Sequence, residues 1–255
     1  MTVKLSIIVP ILNEETFMPM YLKSATAYAH EILIADGGST DRSMEWIRRF
    51  QQHYNIKVFS LPQTGLPYQD WDQPKVRNFL LEQATGDWVM NLDADEVFDD
   101  RICEALPEMM ERTDVDVFEF PFVNFWKDPY TVRVNTAGDE RWSNNIIRMW
   151  RHHIGIRYED KKRHCFMELN GRRIFYLPRA HVDIPLYHYH YAIGPRIKFN
   201  DNRRGDVNRY DNTGEPDWNF RTQQYEIRTE PFQSKHPAVI EQYLSGQEIH
   251  PIDSN

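Results

Sequence analysis

The stretch that most constrains this chain spans residues 85–96 and reads Thr-Gly-Asp-Trp-Val-Met-Asn-Leu-Asp-Ala-Asp-Glu. Gly86 and Asp87 are turn residues, and the apolar run after them is typical of a short interior strand in a parallel sheet. Asp93 and Asp95 follow at once, one residue apart, so an extended backbone would point both carboxylates to the same side. Two carboxylates so close repel each other unless a cation lies between them.

Hard oxygen ligands of this kind suit Mg²⁺ or Mn²⁺ carried with substrate phosphates. An isolated pair of aspartates is more often a solvated acidic turn that caps the next helix. The position of this pair favours a ligand site, because open α/β sheets bind ligands outside the carboxyl ends of their strands. The sequence therefore predicts a divalent-cation site after this strand.

Strands and helices alternate ahead of the acidic stretch. The predicted strands span residues 5–9, 31–35 and 56–61, and the predicted helices span residues 16–29, 42–54 and 74–84. Such alternation indicates βαβ units and hence an α/β fold, with a mostly parallel, Rossmann-like sheet flanked by helices. After residue 98 the pattern predicts a helix over 99–112 and strands over 115–123 and 145–150.

Composition excludes some functional classes. A net charge of -8 argues against a dedicated nucleic-acid binder, although basic residues cluster over 148–163. Only two cysteines occur, which favours a reducing compartment without a disulfide framework. No stretch approaches the apolar length of a membrane span and the N-terminus lacks a signal-peptide pattern. We expect a cytoplasmic protein; attachment to the inner face of a membrane and homodimer formation are both compatible with the sequence.

Five blocks in the first half of the chain stand in a definite order and spacing. They are residues 7–15 (Ile-Ile-Val-Pro-Ile-Leu-Asn-Glu-Glu), 31–41 (ending Asp-Gly-Gly-Ser-Thr-Asp), 77–78 (Arg-Asn), 84–87 (Ala-Thr-Gly-Asp) and 92–96 (Leu-Asp-Ala-Asp-Glu). Together they resemble the motifs of family 2 glycosyltransferases. The resemblance covers about the first half of the chain. Within the family, this chain is similar to the subset with an Asp-Ala-Asp-Glu motif, which includes transferases that build lipopolysaccharide cores. The family implies a GT-A fold, a nucleotide-diphosphate sugar donor, a divalent cation and inversion at the anomeric carbon.

The resemblance also implies a division of the chain. Residues 1–200 would form the GT-A domain, with 1–98 as the nucleotide-sugar-binding half and 99–200 as the acceptor half. Residues 201–255 are polar and rich in Pro and Asn, and we expect an irregular C-terminal extension with short helices.

The first blocks imply the nucleoside contacts. Pro10, Asn13 and Glu14 end the first strand, where the family holds uridine or another nucleoside. Asp36 ends the second strand and resembles the carboxylate that hydrogen-bonds base or ribose; a turn residue bonding its own backbone is the alternative. Asp41 fits a helix N-cap better than a ligand.

Later blocks imply the phosphate and metal contacts. Arg77 and Asn78 lie on the helix before the acidic strand, where the planar fork of Arg77 suits a donor phosphate or a surface salt bridge. Asp93 resembles the residue that reaches ribose, and Asp95 the principal metal ligand. Glu96 fits the surroundings of the metal or an N-cap.

Inverting transfer needs a general base for the acceptor hydroxyl. In GT-A enzymes this is an Asp or Glu after the acidic motif. The candidates are Asp139, Glu140, Glu159, Asp160 and Glu168. We choose Asp160, although the family's His-Glu segment is interrupted here, since three residues separate His164 from Glu168. An aromatic segment precedes these candidates and suits either sugar stacking or core packing. It comprises Phe122, Phe125, Trp126 and Tyr130.

Residues 187–191 read Tyr-His-Tyr-His-Tyr and resemble a late His-Tyr-x-Tyr block of related transferases. The alignment assigns the block's histidine to His188, which could complete the cation site. Strand alternation would place His190 on the same side. A half-buried aromatic strand is the alternative interpretation.

We therefore predict a metal-dependent inverting glycosyltransferase that takes a nucleotide-diphosphate sugar, UDP-sugar first, and a glycan, lipid-linked or other hydroxyl acceptor. One alternative is a nucleotidyltransferase of related α/β layout. Against it, residues 10–15 lack the glycine and the basic residue that usually hold a triphosphate. The other alternative is a non-catalytic nucleotide-sugar-binding module.

Overall fold

The computed structural model describes residues 3–62, 72–134, 145–159, 166–194, 218–219, 224–225 and 228–252. Its first half alternates strands and helices as the sequence predicts. The elements are β1 (Leu5–Ile11), α1 (Met18–Ala25), β2 (Glu31–Asp36), α2 (Ser43–Gln51), β3 (Ile56–Ser60), α3 (Gln73–Gln83) and β4 (Trp88–Asn91). The predicted helices over 16–29 and 42–54 are shorter at both ends.

These four strands form a parallel sheet in the order β4-β1-β2-β3. Alternate residues of the strands are buried on opposite faces. Ile7 and Ile32 join the core under α1 and α2, whereas Ile8 and Leu33 pack on the side of α3. Burial on both faces explains why the strands read as continuous apolar runs.

The described part of the chain after β4 adds further strands and two α-helices. They are β5 (Glu96–Phe98), α4 (Ile102–Glu111), β6 (Val117–Trp126), β7 (Asp128–Val134), β8 (Asn145–Arg151), β9 (Arg157–Tyr158), β10 (Met167–Leu169), β11 (Arg172–Arg173), β12 (Arg179–His181), β13 (Leu186–Tyr191), β14 (Trp218–Asn219), β15 (Gln224–Tyr225), β16 (Arg228–Pro231) and α5 (Ala238–Leu244).

The main sheet becomes mixed beyond β4. β8 lies antiparallel between β4 and β6, and the full path is β16-β7-β6-β8-β4-β1-β2-β3. β9, β10 and β11 form a small separate sheet. The predicted α/β class, with a mostly parallel core flanked by helices, is confirmed. β6 extends past the predicted 115–123 and takes in Phe125 and Trp126, which are buried, whereas Tyr130 on β7 is exposed.

The amino ends of the central strands are joined by Glu31. Its buried carboxylate accepts hydrogen bonds from Ser6 Oγ (2.7 Å) and from the Thr85 amide (2.7 Å), and it pairs with Lys57 Nζ (2.8 Å). Gly86 lies against the same place, where a Cβ would stand 2.7 Å from the Ser6 nitrogen. Only glycine therefore fits the turn into β4.

The C-terminal part is packed on the same domain where the structure describes it. β16 pairs with β7, and α5 lies against α1. Val239 and Ile240 of α5 join the main core. The expected irregular extension thus ends in an ordered strand and helix, while residues 201–217 lie outside the described ranges, and the division at 98 and 200 stays a prediction. Among the helices that the structure describes, none has the length and apolar character to cross a bilayer.

Candidate active site

The loops after β1 and β2 are held together by side-chain contacts. Asn13 adopts a left-handed conformation (φ 56°), and its Oδ1 accepts a hydrogen bond from the Thr40 amide at 2.8 Å. The carboxylate of Asp36 is buried and accepts from the Ser39 amide at 2.9 Å. These contacts fix the polar edge at which the two strands end.

The other residues predicted at this edge lie beside them. Pro10 pairs with Ala35 in the β1–β2 register, and the Glu14 amide donates to Ser43 Oγ at 2.7 Å. Asp41 accepts from the Ser43 amide (2.9 Å) just before α2, but the N-cap position is Arg42, so the N-cap expected at Asp41 lies one residue further on. The structure thus brings Pro10, Asn13, Glu14 and Asp36 to one edge of the sheet.

Arg77 of α3 is buried and makes an internal ion pair. Its Nη2 donates to Asp93 Oδ1 at 2.7 Å, and its Nη1 donates to Asn91 Oδ1. A surface salt bridge, one of the two predictions for Arg77, is therefore wrong.

Asn78 faces a different neighbour from Arg77. Its amide nitrogen donates to the Tyr158 carbonyl (3.0 Å) and its Oδ1 accepts from the Tyr158 amide (2.8 Å). These two bonds tie α3 to β9. The structure does not bring Asn78 to the acidic residues.

The acidic motif is a turn, so the expected extended backbone over 93–95 is wrong. The Glu96 amide donates to the Asp93 carbonyl at 3.0 Å, and the Asp93 amide donates to Glu96 Oε2 at 3.1 Å. The turn points the two aspartates toward different partners. Asp93 forms ion pairs with arginines, and Asp95 contacts histidines.

Arg148 of β8 is the second arginine beside Asp93. It donates to Glu96 Oε1, and its Nη2 lies 3.5 Å from Asp93 Oδ2. Burial raises the pKa of Asp93, but Arg77 and Arg148 outweigh burial and hold it below its usual range. For Glu96 burial prevails over Arg148 and raises the pKa to about 7.

Asp95 meets two histidines of β13. His190 Nδ1 lies 2.6 Å from Asp95 Oδ2, and His188 Nε2 lies 3.7 Å from the same oxygen. Burial disfavours charge on Asp95 and on His188, but their mutual attraction prevails. The histidines hold the pKa of Asp95 well below its usual range, and Asp95 raises the pKa of His188.

Backbone pairing builds this cluster. β13 runs antiparallel to β5 with His188 opposite Glu96, and the Tyr189 amide donates to the Asp95 carbonyl at 2.9 Å. Asn124 Oδ1 lies 2.7 Å from His188 Nδ1, a contact that directs the Nδ1 proton toward Asn124 and turns Nε2 toward Asp95.

The three side chains fit a divalent cation. One carboxylate oxygen of Asp95 and one nitrogen each of His188 and His190 lie within 4.8 Å of one another. A carboxylate suits Mg²⁺ and Mn²⁺, whereas imidazole suits transition metals, so the set fits Mn²⁺ better than Mg²⁺.

A family comparison identifies the fold around this cluster. The family model described as "Glycosyl transferase family 2" matches residues 6–167. The chain belongs to glycosyl transferase family 2. The observed sheet agrees with the GT-A fold expected for this family. The matched range includes Asp95, whereas His188 and His190 lie beyond it.

Curated relatives carry related names. The chain is 32% identical over 111 residues to the lipopolysaccharide core biosynthesis glycosyltransferase LpsC of Rhizobium meliloti, covering 43% of this chain and 38% of LpsC. It is 26% identical over 152 residues to the poly(ribitol-phosphate) beta-N-acetylglucosaminyltransferase TarS of Staphylococcus aureus, covering 56% of this chain and 26% of TarS. The chain therefore spans less than half the length of these relatives.

A solved structure is also similar. The crystal structure of S. aureus TarS 1–349 in complex with UDP-GlcNAc is 18% identical, with a TM-score of 0.46, and the match covers 70% of this chain and 58% of that one.

The base predicted from the family pattern, Asp160, lies outside the described residues, as do Asp139 and Glu140. Two alternatives are described. The carboxylate of Glu159 is buried and pairs with Arg173 at 3.0 Å, and Glu168 is half-buried on β10.

Four polar residues of the site were not predicted from the sequence. Asn91, Asn124 and Arg148 each interrupt an apolar strand, and that interruption is the signal that could have identified them. His190 was recognised as facing the same side as His188 but was not chosen. The structure places it closer to Asp95 than His188.

Proposed function

We propose that this chain is a metal-dependent inverting glycosyltransferase that moves a sugar from a nucleoside-diphosphate donor to a hydroxyl acceptor. The observation that carries the proposal is the cluster of Asp95, His188 and His190, which stands at the carboxyl end of β4 in a family 2 fold. An acidic and imidazole cluster at this edge suits a diphosphate held through a cation.

The donor nucleoside is assigned to the edge formed by β1 and β2. Asn13 and Asp36 lie there with their loops fixed against each other. UDP is the first choice, supported by the TarS relative that was crystallised with UDP-GlcNAc. Pro10 and Glu14 complete this edge.

Asp95, His188 and His190 would hold the cation, with Mn²⁺ favoured over Mg²⁺ by the two imidazoles. A bound divalent cation supplies charge stabilisation for the diphosphate leaving group. Asn124 orients the ring of His188 through the Nδ1 contact. The Tyr189 amide holds the backbone of Asp95 beneath the two rings.

Asp93 has another role, because its charge is neutralised by Arg77 and Arg148. We assign Asp93 to the donor ribose, in the position set by these arginines. Both terminal nitrogens of Arg77 are directed at Asn91 and Asp93, so we assign Arg77 to positioning Asp93 rather than to a phosphate. Asn78 fastens α3 to β9.

Proton removal from the acceptor hydroxyl is assigned to Asp160 on the family pattern. The acceptor would be a glycan or lipid-linked hydroxyl, in keeping with the name of the relative LpsC.

A thermal-shift panel tests the donor class. UDP-sugars and GDP-sugars are added to the protein with Mn²⁺ and with EDTA, and bound donor raises the melting temperature by mass action. We expect a rise with a UDP-sugar in Mn²⁺ that EDTA removes. No rise with any nucleotide sugar in Mn²⁺ would contradict the proposal.

A further inference from the structure

Exposed aromatic side chains concentrate near the small sheet. The described residues include five large hydrophobic side chains that are exposed, and three of them are Phe166, Phe175 and Tyr176. Phe175 is 56% exposed and Tyr176 is 45% exposed. Clustered exposed apolar side chains mark an interaction surface, whereas scattered ones need no explanation.

The same place carries positive charge. Residues 170–179, here called the arginine–aromatic loop, read Asn-Gly-Arg-Arg-Ile-Phe-Tyr-Leu-Pro-Arg and contain three arginines but no acidic residue. The chain as a whole has a net charge of -8, so the loop is opposite in sign to the rest. Arg173 pairs with Glu159 (3.0 Å), and Arg179 lies 3.7 Å from Glu119. Arg172 has no acidic partner within the described ranges.

The arginine–aromatic loop is fixed from beneath. Ile174 and Leu177 are buried and join the core on the α3 side of the sheet. Tyr176 Oη donates to the Leu169 carbonyl at 3.3 Å. Because Ile174 and Leu177 are buried on either side, Phe175 and Tyr176 are held at the surface in fixed positions. Little conformational entropy is then lost when the two rings bind a partner.

Arginines cover two of the aromatic rings. The guanidinium of Arg173 lies 3.6 Å from the Phe166 ring centroid, and that of Arg172 lies 4.3 Å from the Tyr176 ring centroid. A covered ring face is not open for stacking on a nucleobase, which is how aromatic residues bind single-stranded nucleic acid. The pairing instead presents apolar rings and cationic groups side by side.

We propose that the arginine–aromatic loop docks the protein on an anionic lipid bilayer. Tyrosine rings are favoured at the headgroup level, where an apolar body and a polar tip are both satisfied. Arginines near an anionic surface are attracted by its negative potential, which acts within a Debye length of the membrane.

The docking surface lies close to the candidate site. The guanidinium carbon of Arg77 lies 5.7 Å from the ring centroid of Tyr158, which belongs to the small sheet. The backbone carbonyl of Tyr158 accepts a hydrogen bond from Asn78. A membrane contact through the loop would therefore bring the site near the lipid surface. The lipid contact itself does not depend on the proposed sugar transfer.

Vesicle flotation tests the proposal. The full chain is mixed with phosphatidylcholine vesicles that contain or lack phosphatidylglycerol, at low and at high salt. We expect binding only with phosphatidylglycerol, and weaker binding at high salt. Arg172→Gln should lower the partition coefficient about fivefold. The double variant Phe175→Ser, Tyr176→Ser should lower it further.

Two controls match these changes. Arg48→Gln removes the same charge from the exposed face of α2, and Tyr130→Ser removes an aromatic ring that is 63% exposed on β7. Both should float as the wild type does. Melting temperatures are recorded for all variants. Arg172 is exposed and lies over the exposed Tyr176 ring, so Arg172→Gln should stay folded and informative even if the double variant does not.

Two results would overturn the proposal. One is vesicle binding by the wild type that is the same with and without phosphatidylglycerol, or vesicle binding by Arg172→Gln that equals that of the wild type. The other is the absence of vesicle binding together with binding of a single-stranded oligonucleotide that Arg172→Gln weakens, which would assign the loop to nucleic acid.

Discussion

The Nδ1 atom of His190 lies 2.6 Å from the Oδ2 atom of Asp95. This contact places a buried imidazole on the acidic motif from a strand almost a hundred residues further along the chain. His188 approaches the same oxygen from one strand repeat away. Both histidines therefore face the same oxygen of Asp95.

Both histidines should matter for metal binding. We expect His188→Ala and His190→Ala each to lower Mn²⁺-dependent UDP affinity roughly tenfold or more, since each removes one of three ligands. His181→Ala, at a half-exposed histidine on β12, is the matched control and should bind UDP as the wild type does. Calorimetry measures the UDP affinity of each variant, and melting temperatures show that each variant remains folded. Wild-type affinity in His190→Ala would remove His190 from the set.

Arg148 should be required for stability because its charge favours the ionised forms of Asp93 and Glu96. Arg148→Met removes that charge, so buried Glu96 should take up a proton on folding, and we expect a loss of about 1–3 kcal/mol in the free energy of unfolding at neutral pH. The double variant Arg148→Met, Glu96→Gln should recover part of that loss, since an amide at position 96 is neutral without taking up a proton. Urea denaturation of the four proteins in this cycle measures the coupling. Additive losses would show that the pair is not coupled.

Glu31 should give a pH-dependent contribution. Burial raises its pKa, but Lys57, Ser6 and Thr85 outweigh burial and lower it from 4.5 to about 2. A lowered folded-state pKa stabilises the fold above the unfolded value, and that stabilisation is lost as pH falls through the folded value.

Glu31→Gln should therefore be less stable than the wild type by about 1–3 kcal/mol at neutral pH. The difference should shrink as pH falls from about 4.5 to about 2, because only the wild type loses a charge there. Urea unfolding across this range is the measurement. A difference that is independent of pH would rule out the charged network.

Tyr189 connects the C-terminal segment to the site. Its hydroxyl lies 2.8 Å from His236 Nδ1, and burial lowers the pKa of His236, so the neutral ring accepts a hydrogen bond from the tyrosine hydroxyl. Tyr189→Phe should lower the free energy of unfolding by about 1 kcal/mol. UDP affinity should not change, because the Tyr189 amide still holds Asp95. A large loss of UDP affinity without a loss of stability would contradict this division of roles.

Local pattern was enough to predict the first half of the fold. β1, β2, β3 and β4 follow continuous apolar runs ended by turn residues, and parallel order follows from the helices between them. The grouping of Asn13 and Asp36 at one edge could be predicted for the same reason, since the carboxyl ends of neighbouring parallel strands share that edge.

Long-range pairing was not predictable from local pattern. The insertion of β8 between β4 and β6 decides that Arg148 meets Asp93 and Glu96, and no local signal specifies this partner. The turn at Asp93 likewise depends on Glu96 bonding back to the Asp93 amide, which the spacing of the aspartates did not reveal.

We propose that Asp95 and the two histidines hold a cation that binds the donor diphosphate. Calorimetric titration of UDP into the wild type and into Asp95→Asn, each in Mn²⁺ and in EDTA, measures this directly. We expect EDTA to weaken wild-type UDP binding roughly tenfold or more, and Asp95→Asn in Mn²⁺ to bind as weakly as the wild type in EDTA. Equal UDP affinity of the wild type in Mn²⁺ and in EDTA would contradict it.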